Sequence, residues 1–165
     1  PVHDFGNAFS TFIAQNFGAG QMKRIRDGIR VAVVSATIFC VFISLLVFGF
    51  ARPLMLIFVP VHETEIISIG VQYLRIEGAF YCGIGCLFLL YGFYRGIRKP
   101  GMSVVLTVIS LGTRVALAYA LSAIPAIGVV GIWWSIPIGW LLADIVGLWY
   151  YRRLFSRVTR SSIGK

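Results

Sequence analysis

Acid is scarce in this chain. Six Asp and Glu stand among 165 residues, and all charged residues together make up 13%. A soluble domain carries about 25% charged residues to cover its surface. With 58% hydrophobic residues, this chain cannot cover itself with charge, so much of its apolar surface must face lipid. The carboxylates are also too few and too scattered for paired acid–base chemistry. HExxH, GxSxG and P-loop patterns are all missing from the sequence, which removes the commonest hydrolytic and nucleotide-binding signatures. The three cysteines (Cys40, Cys82 and Cys86) form no CxxC, and His3 and His62 lie far from any of them, so no metal-ligand spacing exists. The expectation is a protein that is not an enzyme, with no catalytic residue, no metal site and no organic cofactor. Cys82 and Cys86 are four apart and share a helix face. All three cysteines are expected to be small, buried and reduced. No basic start, short apolar core and cleavage site precedes the apolar runs. Pro1 stands where a Met would begin a gene product, so the expectation is a piece of a longer chain.

What is present is a series of long apolar runs. A spanning helix needs about 20 mostly apolar residues. Residues 31–50 meet this without a charge, and the run passes Arg52 and Pro53 to end near Pro60. Further spans are expected over about 67–94, interrupted by Arg75 and Glu77, then 102–121 and 129–150, with a polar tail over 151–165. Residues 5–17 are apolar but short, and are expected to be the end of a truncated span. In hydrocarbon, backbone groups must be satisfied within a helix or a closed barrel. These runs are apolar all round, without the two-residue alternation of barrel strands. The fold class expected is therefore all-α, a polytopic transmembrane helical bundle.

The net charge of +9 in a soluble protein would suggest nucleic acid. Here the basic residues punctuate the apolar runs, so no nucleic-acid partner is expected and the lipid bilayer takes its place. Lys23, Arg24, Arg26 and Arg30 lie in the first connection. Arg95, Arg98 and Lys99 lie in the third, and Arg152, Arg153, Arg157, Arg160 and Lys165 in the tail. If four helices alternate, all of these fall on one side, which the positive-inside rule makes cytoplasmic. A multi-pass protein of the cell membrane with a cytoplasmic C-terminus follows. Trp149, Tyr150 and Tyr151 read as an aromatic anchor at the inner boundary, and Trp133 and Trp134 lie near the outer one.

Charge in hydrocarbon costs at least about 2.5–3.5 kcal/mol per group at mid-membrane, so each buried charge needs a reason. Counting about 1.5 Å per residue, Glu77 lies about 10–15 Å below the outer surface and Arg114 at a similar depth on the next helix. The two are expected to pair, either as a fixed link between helices or as a carboxylate whose proton affinity Arg114 tunes. Asp144 comes out about 9 Å from the inner side, either a proton or cation site or an interhelical hydrogen-bonding residue. Arg75 is expected to snorkel. Pro137 should kink the last span, and Gly92 with Gly96 forms a small-xxx-small pair for close packing.

One set of motifs resembles a known family. The run Thr11 to Gly20 (TFIAQNFGAG), with Gln15, Asn16, Gly18, Ala19 and Gly20, is followed by Lys23-Arg24-Ile25-Arg26-Asp27-Gly28. It is similar to the segment that closes the eighth helix of MATE (multidrug and toxic compound extrusion) transporters. Tyr73-Leu74-Arg75-Ile76, then Tyr94-Arg95-Gly96, Arg114, Gly131-Ile132-Trp133 and Pro137-Ile138-Gly139-Trp140 follow in the family's order. The resemblance implies part of a twelve-helix transporter of two six-helix bundles, from the end of helix 8 through helix 12. The implied activity is alternating-access efflux of amphipathic or cationic small molecules, coupled to Na+ or H+. The missing N-terminal portion of the same transporter is the implied partner, and without it these residues are expected not to transport. Some members carry a coupling carboxylate on helix 10, at a place that falls near Ile84 here, where no acid stands. Glu77 does not match it, so no coupling residue carries over. Gly18 and Gly20 are expected to permit positive φ at the helix end, with the motif as a helix terminator and anchor. The alternatives are a lipid-linked oligosaccharide flippase of the same superfamily and a non-transporting membrane anchor or assembly subunit.

Overall fold

The computed structural model describes residues 1–125 and 127–163, with side chains through Leu154. Lys165 and the side chains of Arg157 and Arg160, counted above on the basic side, lie outside the described residues. The chain is 86% helical and has no strand among the described residues, as the apolar runs require. Its helices are α1 (Val2–Gly18), α2 (Met22–Gly49), α3 (Ala51–Leu56), α4 (Thr64–Ala79), α5 (Tyr81–Gly96), α6 (Pro100–Ser122) and α7 (Val129–Ile163). Among the described residues three helices (α2, α6 and α7) are long and apolar enough to cross a membrane, and the bent pair α4–α5 has the length and composition of a fourth when taken as one span.

The apolar runs mark the hydrocarbon crossings, and the helices extend past them. Helix α2 begins at Met22, so Lys23, Arg24, Arg26 and Arg30, expected in a connection, form its opening turns. Its 28 residues rise about 42 Å, more than the hydrocarbon thickness of about 30 Å. Lys and Arg are good helix formers, so nothing unwinds them at the bilayer edge. Helix α7 likewise continues into the expected tail, to Ile163. Pro137 lies inside α7, where it removes one backbone donor, and α7 continues on both sides of it.

The span expected over about 67–94 is two helices bent by 49°. The break falls at Phe80, where the Gly83 N–H donates to the Phe80 carbonyl at 2.8 Å, a three-residue step in place of the helical four. Gly78 and Gly83 flank the break, and glycine gives up about 1 kcal/mol of helix propensity at each position. Phe80 is held from outside the helix by Trp134, edge to face with ring centroids 5.4 Å apart. A second break at Phe50 separates α2 from the short α3.

Helix α5 is the centre of the bundle. Leu87, Leu90, Phe93 and Tyr94 are buried in one core with Phe9 and Ile13 of α1, Ile25 and Ala32 of α2, Leu106 of α6, and Trp140 and Ala143 of α7. The outward faces are apolar too: Ile38 and Leu45 of α2 are 65% and 69% exposed. Such a surface is stable only against lipid. The basic segments converge on one end: Lys99 donates to the Tyr150 hydroxyl at 3.3 Å, and Arg26 lies beside Tyr151.

Candidate functional site

Asp144 is the most enclosed acid of the protein. Helix α7 presents it to α5, where the Cys86 thiol lies beside the carboxylate. A Cβ on Gly83 would sit 4.0 Å from Oδ2, an ordinary contact distance, so the carboxylate lies against this part of α5. Trp140, one turn earlier on α7, covers the same glycine. The residue is 7% exposed, and its Oδ1 is buried with no hydrogen-bond partner. Tyr91 of α5, which accepts a 3.3 Å hydrogen bond from Thr107 of α6, feels its charge. An unpartnered carboxylate oxygen in a low-dielectric junction is costly when ionised and calls for a proton, a cation or a hydrogen-bond donor such as water.

Glu77 and Arg114 do not form the expected ion pair, which none of the described ion pairs includes. Arg114 acts on Glu77 and on Tyr73 through space. The Glu77 Oε1 is buried without a hydrogen-bond partner. Arg114 is thus near enough to act on Glu77 electrostatically, without an ion-pair contact between them. Tyr73, one turn before Glu77, meets Trp133 of α7 edge to face at 5.9 Å instead.

The cysteines divide. Cys86 faces Asp144, whereas Cys82 faces the thiol of Cys40 on α2. Cys40 is buried and Cys86 partly so, but Cys82 is exposed, against the expectation that all three are buried. All three are free thiols.

The Gln15 to Gly20 motif ends α1 with two reversed hydrogen bonds. The Gln21 N–H donates to the Asn16 carbonyl at 2.8 Å and the Gly20 N–H to that of Phe17 at 3.1 Å. Gly20 has φ +69°, which makes this the glycine-capped end that satisfies orphan helical carbonyls. Gly18 stays helical with no positive φ, so only Gly20 has the role expected of both. Ala19 accordingly closes the helix and donates to Gln15. Helix α5 ends by the same pattern, with Arg98 at φ 60° in the position that Gly20 fills in α1, and Lys99 donating to Tyr94 at 2.8 Å. Arg95 of that second motif donates to the Asn7 carboxamide oxygen of α1 at 2.8 Å. Gly92 and Gly96 are the seat of α1, as their spacing suggested. A Cβ on Gly96 would meet Ile13 Cβ at 2.6 Å, and one on Gly92 would strike the Gly6 carbonyl.

A longer small-residue stripe escaped the sequence reading. Gly131, Ser135, Gly139, Ala143 and Gly147 recur at every fourth position of α7, and all are buried. A Cβ on Gly139 would reach the Ser110 carbonyl oxygen of α6 at 2.6 Å, and one on Gly147 would meet Leu90 of α5 at 2.6 Å. The Tyr94 hydroxyl donates to the Gly147 carbonyl at 2.5 Å. This close seating brings Asp144 against α5. The signal was the strict four-residue recurrence, hidden because the intervening residues are large and apolar.

Residues 1–120 match a family model described as MatE. No curated protein and no solved structure matches the chain.

Proposed function

The chain belongs to the MatE family of membrane transporters, and we propose that it is part of a cation-coupled antiporter exporting amphipathic or cationic small molecules, with Asp144 as the carboxylate through which this half binds its coupling Na+ or H+. The observation that carries the assignment is the orphaned Oδ1 of a buried carboxylate between two helices. In some members of the family a coupling carboxylate falls at a place near Ile84 of the bent helix, where this chain has none. Asp144 reaches Gly83 and Cys86, on either side of Ile84, from the neighbouring helix. Alternating access and the rest of the substrate cavity rest on the family likeness and on the further helices that it implies. The convergence of basic segments at one end supports a cell-membrane protein with that end, and the C-terminus, in the cytoplasm.

The test is efflux of an organic-cation dye from cells expressing the gene product, with proton and sodium gradients imposed separately. Asp144→Asn should abolish gradient-driven efflux while leaving membrane insertion and dye binding intact. Full gradient-driven efflux in that variant would remove Asp144 from the mechanism. An unmodified protein indifferent to both gradients would sink the antiporter reading itself.

A further inference from the structure

The end of the bundle opposite the basic clusters carries a groove of about 830 Å³ between α2, α3, α4 and α7. Its floor is one face of α4: Thr64, Ser68, Gln72 and Arg75, three or four residues apart, all line it. Such a polar stripe on a spanning helix is costly against acyl chains alone. Arg52 of α3 also lines the groove and supplies a second guanidinium. The walls are apolar and aromatic, with Phe48 and Trp134 among them. Arg75 lies over the Phe48 ring, 5.4 Å from its centroid.

The charge balance of the groove is one-sided. Neither Arg52 nor Arg75 takes part in an ion pair among the described residues, and no carboxylate lines the groove. Glu63 and Glu65 flank Thr64 at the mouth but are not part of the lining, and Glu63 faces His62 at 3.7 Å. Ser68 and Gln72 donate to no neighbour in the described hydrogen bonds, so their donors are available to a bound molecule. With Arg114, these two arginines are the three basic residues that break the one-sided charge pattern of the chain. Arg75 lies 11 residues beyond Thr64, hence about 16 Å along α4, so the groove is long enough for a headgroup and the first part of an acyl chain.

We propose that this groove binds an anionic phospholipid of the leaflet at that end of the bundle. The phosphodiester sits between Arg52 and Arg75, with Ser68 and Gln72 donating to its oxygens, and an acyl chain lies along Phe48 and Trp134. Two guanidiniums without a counter-ion match a phosphate by charge and by bidentate geometry. The depth of the groove and its mixed lining match an amphiphile rather than a soluble anion. The site is separate from Asp144, which faces α5 on the other side of the α4–α5 break.

Trp134 reports on the groove directly. The intact protein is reconstituted into nanodiscs doped with brominated phosphatidylglycerol or brominated phosphatidylcholine. The Trp134 contribution is taken as the difference from Trp134→Phe. Juxtamembrane basic residues favour anionic lipid by about fivefold each, so the pair should favour phosphatidylglycerol about 25-fold in half-quenching mole fraction. Arg52→Gln/Arg75→Gln should remove the preference, and Arg52→Lys/Arg75→Lys should keep most of it, which separates loss of charge from loss of fold. Equal quenching by both lipids would overturn the proposal, as would a preference that survives the glutamine variant. Relief of quenching by millimolar glycerol phosphate would reassign the groove to a soluble phosphate and overturn the lipid. A Trp134 that neither lipid quenches would show the groove covered by protein, with the same consequence.

Discussion

Gly139→Ala tests the packing that delivers Asp144 to α5. The new Cβ would lie 2.6 Å from the Ser110 carbonyl oxygen, a backbone atom that cannot rotate away. Ordinary contact begins at 3.4 Å, so α6 and α7 must separate by about 0.8 Å locally, and overpacking of this kind costs about 1–3 kcal/mol. Alanine returns up to about 1 kcal/mol of helix propensity, which leaves a net loss of about 0–2 kcal/mol. Gly112→Ala is the matched control. It lies within α6 with nothing within 4 Å of its Cβ position, so it collects the propensity term without the clash. The propensity terms cancel between the two variants, and their difference is the overpacking cost, about 1–3 kcal/mol. Unfolding in detergent, followed by far-ultraviolet circular dichroism, should place Gly139→Ala below Gly112→Ala by that amount. Ser110→Ala should not rescue it, because the obstructing atom is backbone. Equal midpoints for the two glycine variants would show that α6 does not rest on Gly139, and the seating of α7 would have to be redrawn.

Two further changes test the ends and the centre of the bundle. Arg98→Gly relieves a left-handed backbone that costs a non-glycine residue about 1 kcal/mol or more. It should raise the thermal midpoint, and a fall would mean that the cation at the end of α5 outweighs the strain. Tyr94→Phe removes the hydroxyl that reaches the Gly147 carbonyl in a fully buried position. A loss of about 1 kcal/mol is expected in the same assay, and no loss would show that water or a neighbour replaces the donor.

The class of fold was legible because composition forces it. A chain this apolar has no soluble solution, and its runs have spanning length. The ends of the helices were less legible, because hydropathy marks where the bilayer stops while backbone hydrogen bonding continues into the basic segments. That is why α2 starts at Met22 and why α7 runs on into the expected tail, to Ile163. The break at Phe80 was hidden for a different reason. Glycines at 78, 83 and 85 permit a bend at several places, and the contact of Phe80 with Trp134, more than fifty residues away, is what sequence alone cannot supply.

The site was legible as a set of residues and illegible as a set of contacts. Any ionisable residue in an apolar run is conspicuous, so Glu77, Arg114 and Asp144 stood out by cost alone. What each one meets depends on rotation about the helix axis, where one residue is worth about 100°. Depth can be counted along a chain, and it suggested Glu77 and Arg114 as partners, but the two are coupled only through space. For Asp144, rotation is fixed by its own helix. It directly follows Ala143 of the small-residue stripe, and close packing of that stripe on α5 and α6 leaves Asp144 one direction to face, toward Gly83 and Cys86. The residues without chemistry thus decide where the residue with chemistry is placed, and enlarging any one of them should disturb Asp144 before it unfolds the bundle.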